Sequence, residues 1–170
     1  MRRATFFGAV TAVLCCSGPH VDHRAGASTT DPAATRFERL YSCSESGFQR
    51  REMLIVRSAT ELRAILPLLW DQCQPGWSNR RSDSLAIIIV SQGQAGSTGY
   101  WIAVDSIVEG PDSTLVYADT HRPGRGCAVG DQLTAPVDVV AAKLSSRPVR
   151  LISRELPDDS CSGPPAPNER

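Results

Sequence analysis

Residues 85–90 read Leu85-Ala86-Ile87-Ile88-Ile89-Val90, an unbroken apolar run rich in β-branched side chains. A strand with one wet face alternates apolar and polar residues. A short continuous run such as this one marks a strand covered on both faces. It falls well short of the roughly 20 residues that a membrane-spanning helix requires, and a solvated stretch, Arg80-Arg81-Ser82-Asp83, leads into it. The run therefore reads as the central strand of a sheet, and the rest of the chain must supply its neighbours.

Downstream, Tyr100 to Glu109, the turn Gly110-Pro111-Asp112-Ser113 and Thr114 to Thr120 read as strand, turn, strand. Pro136 to Leu144 and Val149 to Leu156 supply two more strands, joined by Ser145-Ser146-Arg147-Pro148. Upstream, Phe37-Glu38-Arg39-Leu40-Tyr41 alternates, Ser44-Glu45-Ser46-Gly47 turns and Arg51 to Arg57 resumes as a strand, so an opening hairpin is expected. Ser58-Ala59-Thr60-Glu61 is a capping box, with the Ser58 hydroxyl facing one amide and Glu61 reaching back to another. Leu62, Ile65, Leu66, Leu69 and Trp70 then recur at helical spacing as one apolar stripe. Pro67 lies inside that stripe and removes an interior hydrogen bond, which predicts a kink or restart. One early amphipathic helix against about seven strands predicts an α+β domain, a mainly antiparallel sheet or partial barrel.

The chain has 170 residues, enough for one domain with its own core. Lys+Arg and Asp+Glu are equal at 18 each, so no net field draws the protein to nucleic acid or to an anionic membrane. A basic start followed by a short apolar core over residues 1–16 has the layout of a signal peptide of the lipoprotein type. Cys16 is the lipidation candidate, although Leu14 and Cys15 stand where a small residue is usual. Plain secretion, with cleavage near Ala25-Gly26-Ala27, is the alternative. The expected location is the cell envelope or periplasm, held to the membrane by lipid, or else outside the cell.

Residues 17–35 lack apolar periodicity and read as a tether, 36–161 as the domain, and the Pro-rich 162–170 as a tail. Export places Cys43, Cys73, Cys127 and Cys161 in an oxidising compartment, where an even count predicts two disulfides. Pairing Cys43 with Cys73 and Cys127 with Cys161 is preferred because each then closes a local half of the domain. No Cys-x-x-Cys or Cys/His cluster suggests zinc, and neither a metal nor a cofactor is expected.

Between the central strand and the next lies Gly93-Gln94-Ala95-Gly96-Ser97-Thr98-Gly99-Tyr100-Trp101. A phosphate loop would end in Gly-Lys-Ser/Thr before a helix, and a dinucleotide fingerprint would also open a helix; neither condition holds. Ala95 to Gly99 approaches a nucleophile elbow around Ser97, with Asp105, Asp119 and His121 as conceivable partners, but a strand follows where the elbow requires a helix. His20 and His23 sit in the tether, His121 reads as a strand-end residue and Asp158-Asp159 as a charged strand end. The remaining reading is a rigid turn. Gly96 and Gly99 permit positive φ, Ser97 and Thr98 bond nearby backbone, and Tyr100 and Trp101 point to opposite faces of the emerging strand, one to the core and one outward or under the loop Arg122-Pro123-Gly124-Arg125-Gly126.

Three segments together carry a family resemblance: Gly93 with Ser97-Thr98-Gly99-Tyr100, then Arg122-Pro123-Gly124-Arg125-Gly126, then Leu133-Thr134-Ala135-Pro136-Val137-Asp138-Val139-Val140. Their order and spacing resemble the PrcB C-terminal domain family, named for a subunit that stabilises a bacterial surface protease complex. One glycine of the family's Thr-Gly-Gly-Tyr is missing, and the likeness runs from about Arg51 to Glu155. The resemblance implies a non-enzymatic exported domain with a protein partner, in first place an exported protease, contacted through Ser97, Thr98, Gly99, Tyr100, Trp101, Arg122, Pro123 and Gly124. Chagasin-type cysteine-protease inhibitors offer an analogy, presenting a Thr-Gly-aromatic loop beside an Arg-Pro loop. Two alternatives stay open: an envelope structural lipoprotein without a protease partner, and a serine hydrolase using Ser97.

Overall fold

A computed structural model describes residues 34–69, 85–161 and 163–164. The expected central run forms β3 (Ala86–Ser91), and its neighbours are β1 (Phe37–Cys43), β2 (Glu52–Val56), β4 (Trp101–Glu109), β5 (Thr114–Pro123), β6 (Val137–Ala142) and β7 (Val149–Asp158). These seven strands make two sheets, a four-stranded one in the order β1-β6-β3-β2 and a three-stranded one in the order β4-β5-β7. Every pairing is antiparallel except β5 with β7. The expected β-rich domain with one early helix is present, as two sheets and not as a closed barrel.

The opening hairpin does not form. β1 pairs with β6, with Phe37 opposite Ala142 and Cys43 opposite Val137, while β2 pairs with β3, so the two lie on opposite edges of their sheet. The chain between them cannot be a tight turn because it carries part of the core. Phe48 is fully buried, the Ser46 hydroxyl donates to the Ala135 carbonyl at 2.7 Å, and the Gly47 amide donates to the Leu68 carbonyl at 2.7 Å. The two central strands, buried along nearly their whole length, take the middle positions, and the half-polar strands flank them.

α1 spans Ala59–Ile65 and starts on the expected capping box: the Glu61 amide donates to Ser58 Oγ at 3.2 Å, and Glu61 Oε2 accepts the Ser58 amide at 3.1 Å. At Pro67 the helix tightens into a 3-10 turn, Leu66–Leu68, the restart that the proline predicts. Leu62 and Leu69 are buried against Phe48, Val56, Ile89, Val137 and Val139, which form one core layer beneath the four-stranded sheet. Trp70, the last residue of the expected stripe, lies outside the described residues.

The other face of the same sheet packs on the three-stranded sheet. Ile88, Val90, Val140 and Ala142 meet Ile102, Val104, Ile107, Val116 and Ala118. Each fully buried aliphatic side chain contributes about 1.5–3 kcal/mol relative to exposure. Ordered pairing begins at Ala34, which bridges to Val108, and the Thr35 amide donates to the Ile107 carbonyl at 2.8 Å. Both residues fall within the segment 17–35 that reads in the sequence as a tether.

Inside this second layer sits a buried ion pair. Arg39 Nε donates to the Asp138 carboxylate at 3.0 and 3.2 Å, and its Nη2 donates to the Val104 carbonyl at 2.7 Å. The Val104 amide donates to Asp138 Oδ2 at 2.7 Å. The pair therefore ties β1 and β6 of one sheet to β4 of the other. It sits beside register shifts in both β1, between Arg39 and Tyr41, and β4, between Val104 and Ser106. Burial pushes the Asp138 carboxyl up, while the Arg39 guanidinium and the Val104 amide pull it back.

Candidate functional site

The glycine-rich loop and the Arg-Pro-Gly loop meet at one end of the sandwich. Gly99 has φ +86°, and a Cβ placed on it would stand 3.2 Å from both Pro123 Cβ and Val129 Cγ1. Glycine is there because the loop lies directly on its neighbours. Gly93, at φ +78°, is tighter still, since a Cβ there would come within 2.6 Å of the Arg50 carbonyl carbon.

Between these glycines the loop is pinned from below. The Thr98 amide donates to the Gly130 carbonyl at 3.0 Å, and the Gly130 amide donates back to Thr98 Oγ1 at 2.7 Å. Ala95 and Thr134 exchange both backbone hydrogen bonds, at 2.8 and 3.0 Å, and the Thr134 hydroxyl donates to the Ser97 carbonyl at 2.9 Å. The segment from Val129 to Thr134 thus acts as a floor.

Tyr100 and Trp101 are both half-buried, so the expectation that one of them faces the core is wrong. Tyr100 precedes the strand. β4 begins at Trp101, and Ile102, 1 % exposed, takes the first core position. The indole of Trp101 stacks on the His121 ring, with centroids 3.4 Å apart and planes 4° apart. Its Nε1 donates to Asp158 Oδ2 at 3.0 Å.

Asp158 organises this end of the molecule. Its carboxylate also accepts the Ser160 hydroxyl and, at 3.3 Å, the Gly163 amide, and its main-chain carbonyl accepts the amides of Gly124 at 3.1 Å and Cys161 at 3.3 Å. Hydrogen bonds from Ser160 and then Trp101 hold its pKa at about 2. The Cys127–Cys161 disulfide, with Cα atoms 5.5 Å apart, closes the arrangement and realises one expected pairing. Cys43 is also disulfide-bonded, while Cys73, its expected partner, lies outside the described residues.

In the sequence Asp158 reads as a charged strand end, and its neighbourhood does not mark it as a hub. The only local cue is Asp158-x-Ser160, a carboxylate two residues before a hydroxyl. Gly124, expected among the contact residues, is buried against Asp158 and Asp159 and cannot be presented. Arg122 is exposed and pairs with Glu155 at 3.6 Å; Pro123 is half-buried against Gly99. Ser97, Thr98 and Gly99 stay at the surface or half-buried, so seven of the eight expected contact residues share one accessible end.

The conceivable partners of Ser97 are engaged elsewhere. Asp119 holds Arg154 through two hydrogen bonds of 2.9 and 3.0 Å, Asp105 lies 4.0 Å from the same guanidinium, and His121 lies under Trp101. Among the described residues no hydrogen bond joins the Ser97 hydroxyl to any of the three. Burial lowers the His121 pKa, against the pull of Asp119 and Asp158. Next to the loop floor a cavity of about 230 Å3 is lined by Glu45, Ser46, Gln49, Gln94, Leu133, Thr134 and Ala135. Leu133 stands 63 % exposed at its rim. Cys16, His20 and His23 lie outside the described residues.

No curated protein and no solved structure gives a significant match to the chain. Residues 86–143, which run from β3 to β6 and include both candidate loops with their floor, match the family model described as PrcB C-terminal, the family that the sequence resembles.

Proposed function

We propose that this protein is a non-enzymatic binding module that stabilises or modulates a protein partner, an exported protease in first place, through the loop end of its sandwich. One observation carries the reading: two loops separated in sequence converge at Gly99 and Pro123, on a hydrogen-bonded floor, with a large aromatic held in place beside them. Pre-ordered loops of this kind bind with little loss of entropy, and a half-exposed tryptophan is among the commonest interface hot spots. The family match supports the partner class, since the family takes its name from a protease-complex subunit. In this reading the chain is exported, and lipid on Cys16 holds it at the envelope membrane.

The test uses Tyr100→Ala and Trp101→Ala in the full chain, with cross-linking in envelope extract and identification of what is captured. Trp101→Ala is expected to reduce capture at a binding cost of about 2 kcal/mol or more while the core transition persists. If both variants capture the partner as the parent does, the loop end is structural, and an envelope lipoprotein without a protease partner becomes the better account. Fractionation of Cys16→Ser cells tests the anchor: unchanged membrane retention, with Cys15 replaced as well, removes it from the proposal.

A further inference from the structure

Each sheet leaves two edges, and three of the four are protected. β1 is bent by a register shift between Arg39 and Tyr41. β4 has a shift between Val104 and Ser106, and Ala34 and Thr35 lie along one end of it. β2 is only 5 residues long. These are the devices by which natural sheets prevent unwanted pairing. β7 is neither shifted, covered by described residues nor short, although its exposed Arg150, Arg154 and Glu155 are charged. It runs 10 residues from Val149 to Asp158, its register with β5 is continuous from end to end, and its single proline, Pro157, comes next to last. Beyond β5, no described strand pairs with it.

We infer that the open edge of β7 is a docking site for an extended segment of a protein partner, added as a further strand to the three-stranded sheet. The Pro148 and Asp158 carbonyls turn toward the β5 side, so Val149, Leu151, Ser153, Glu155 and Pro157 turn their backbone groups outward, about five carbonyls but only about four amides because Pro157 has no N–H. Only another extended backbone answers such a row in full. The side chains define the occupant further. Val149 and Leu151 pack inward on the sandwich core, and Arg150, Ile152 and Arg154 lie on the outer face, opposite Leu115, Tyr117 and Asp119. Ile152 is 41 % exposed, and Arg150 makes no ion pair among the described residues.

The matching strand therefore alternates, with an apolar residue beside Ile152 and a carboxylate near Arg150. A second copy of this chain fits poorly, because Arg154 is already held by Asp119 and the outer row of β7 offers no exposed carboxylate to answer Arg150. The edge is continuous with the loop end, since Pro157 and Asp158 pair with Arg122 and Pro123. The inference rests on the binding reading above, and it supplies that reading with a partner chemistry.

The experiment titrates isotope-labelled full chain with a blocked synthetic peptide alternating valine and threonine, with one aspartate in the threonine row, and follows exchange of each amide. Alternate amides of β7 should slow by about tenfold or more, with those of β1, β2 and β4 unchanged. Arg150→Glu, an exposed change that leaves the fold intact, should weaken binding by about two- to fivefold, the scale of an exposed ion pair, and should favour the lysine version of the peptide by a similar factor. Protection on β2 instead, no protection at all, or equal binding by a proline-centred peptide overturns the inference. Protection of β7 that rises with protein concentration in the absence of peptide assigns the edge to a second copy and overturns it as well. The assay does not involve Trp101, so an unprotected β7 edge combined with partner capture that depends on Trp101 leaves the proposed function standing.

Discussion

Asp138 and Asp158 carry the same side chain and hold together opposite ends of the problem this chain solves. Asp138 is fully buried between the sheets, bonded to Arg39 and to the Val104 amide. Asp158 sits at the rim, bonded to Trp101, Ser160 and Gly163. Burial pushes the first carboxyl up, and donors pull the second down to about 2. Both residues are buried, so the difference lies in their donors: at Asp138 desolvation outweighs them, and at Asp158 the Ser160 and Trp101 hydrogen bonds outweigh desolvation while they order the loops.

The strongest way to break the comparison is at the interior pair. Arg39→Ala or Asp138→Ala should each cost about 3–5 kcal/mol, because each leaves a buried charge without its partner. The double replacement Arg39→Met with Asp138→Leu should recover most of that loss in urea denaturation. If the double variant is as unstable as the singles, the pair does more than neutralise itself.

At the rim, Cys127→Ser with Cys161→Ser should cost about 2–4 kcal/mol and speed exchange of the Trp101 indole proton, since the bridge holds the segment that carries Asp158. A similar loss without faster indole exchange would separate the disulfide from the hub. Gly99→Ala should cost about 1–3 kcal/mol and displace the Ser97-Thr98 tip from Pro123. Its mark is changed amide shifts at Val129 and Gly130 with the core shifts unmoved.

Acid sharpens the contrast further. Asp158 has a folded pKa below its ordinary value of 3.8, so its contribution to stability is complete above that value and is lost as pH falls towards about 2. The Trp101 indole resonance should move in that window, and Asp158→Asn should abolish the movement at a stability cost of about 1 kcal/mol. The smallest effect belongs to His121. Its pKa is lowered from 6.5 by burial, so the folded state prefers the neutral ring; stability is complete above pH 6.5 and declines as the ring is forced to protonate below it. His121→Phe should flatten that part of the melting profile.

Local order was legible in the sequence because local order depends on neighbours in the chain. The β-branched run after Leu85 reads as a strand covered on both faces and forms β3, the Ser58–Glu61 capping box starts the helix, and Pro67 ends its regular part. The Cys127–Cys161 pairing and the positive φ of Gly99 are legible for equally local reasons, whereas Gly96, expected to share that conformation, does not adopt it and Gly93 does. Partnership across the fold was not legible. Phe37 to Tyr41 looks like half of a hairpin until β6 is known to lie beside it. Arg39 and Asp138, 99 positions apart, show no sign in the sequence of sharing a buried bond. Asp158 becomes a hub only once Trp101, 57 positions earlier, is folded over His121. Backbone propensity and side-chain periodicity act over a few residues, whereas the choice of which strands become neighbours depends on how all the apolar faces are covered at once. That choice, made in three dimensions, set the ion pair, the loop end and the open edge of β7.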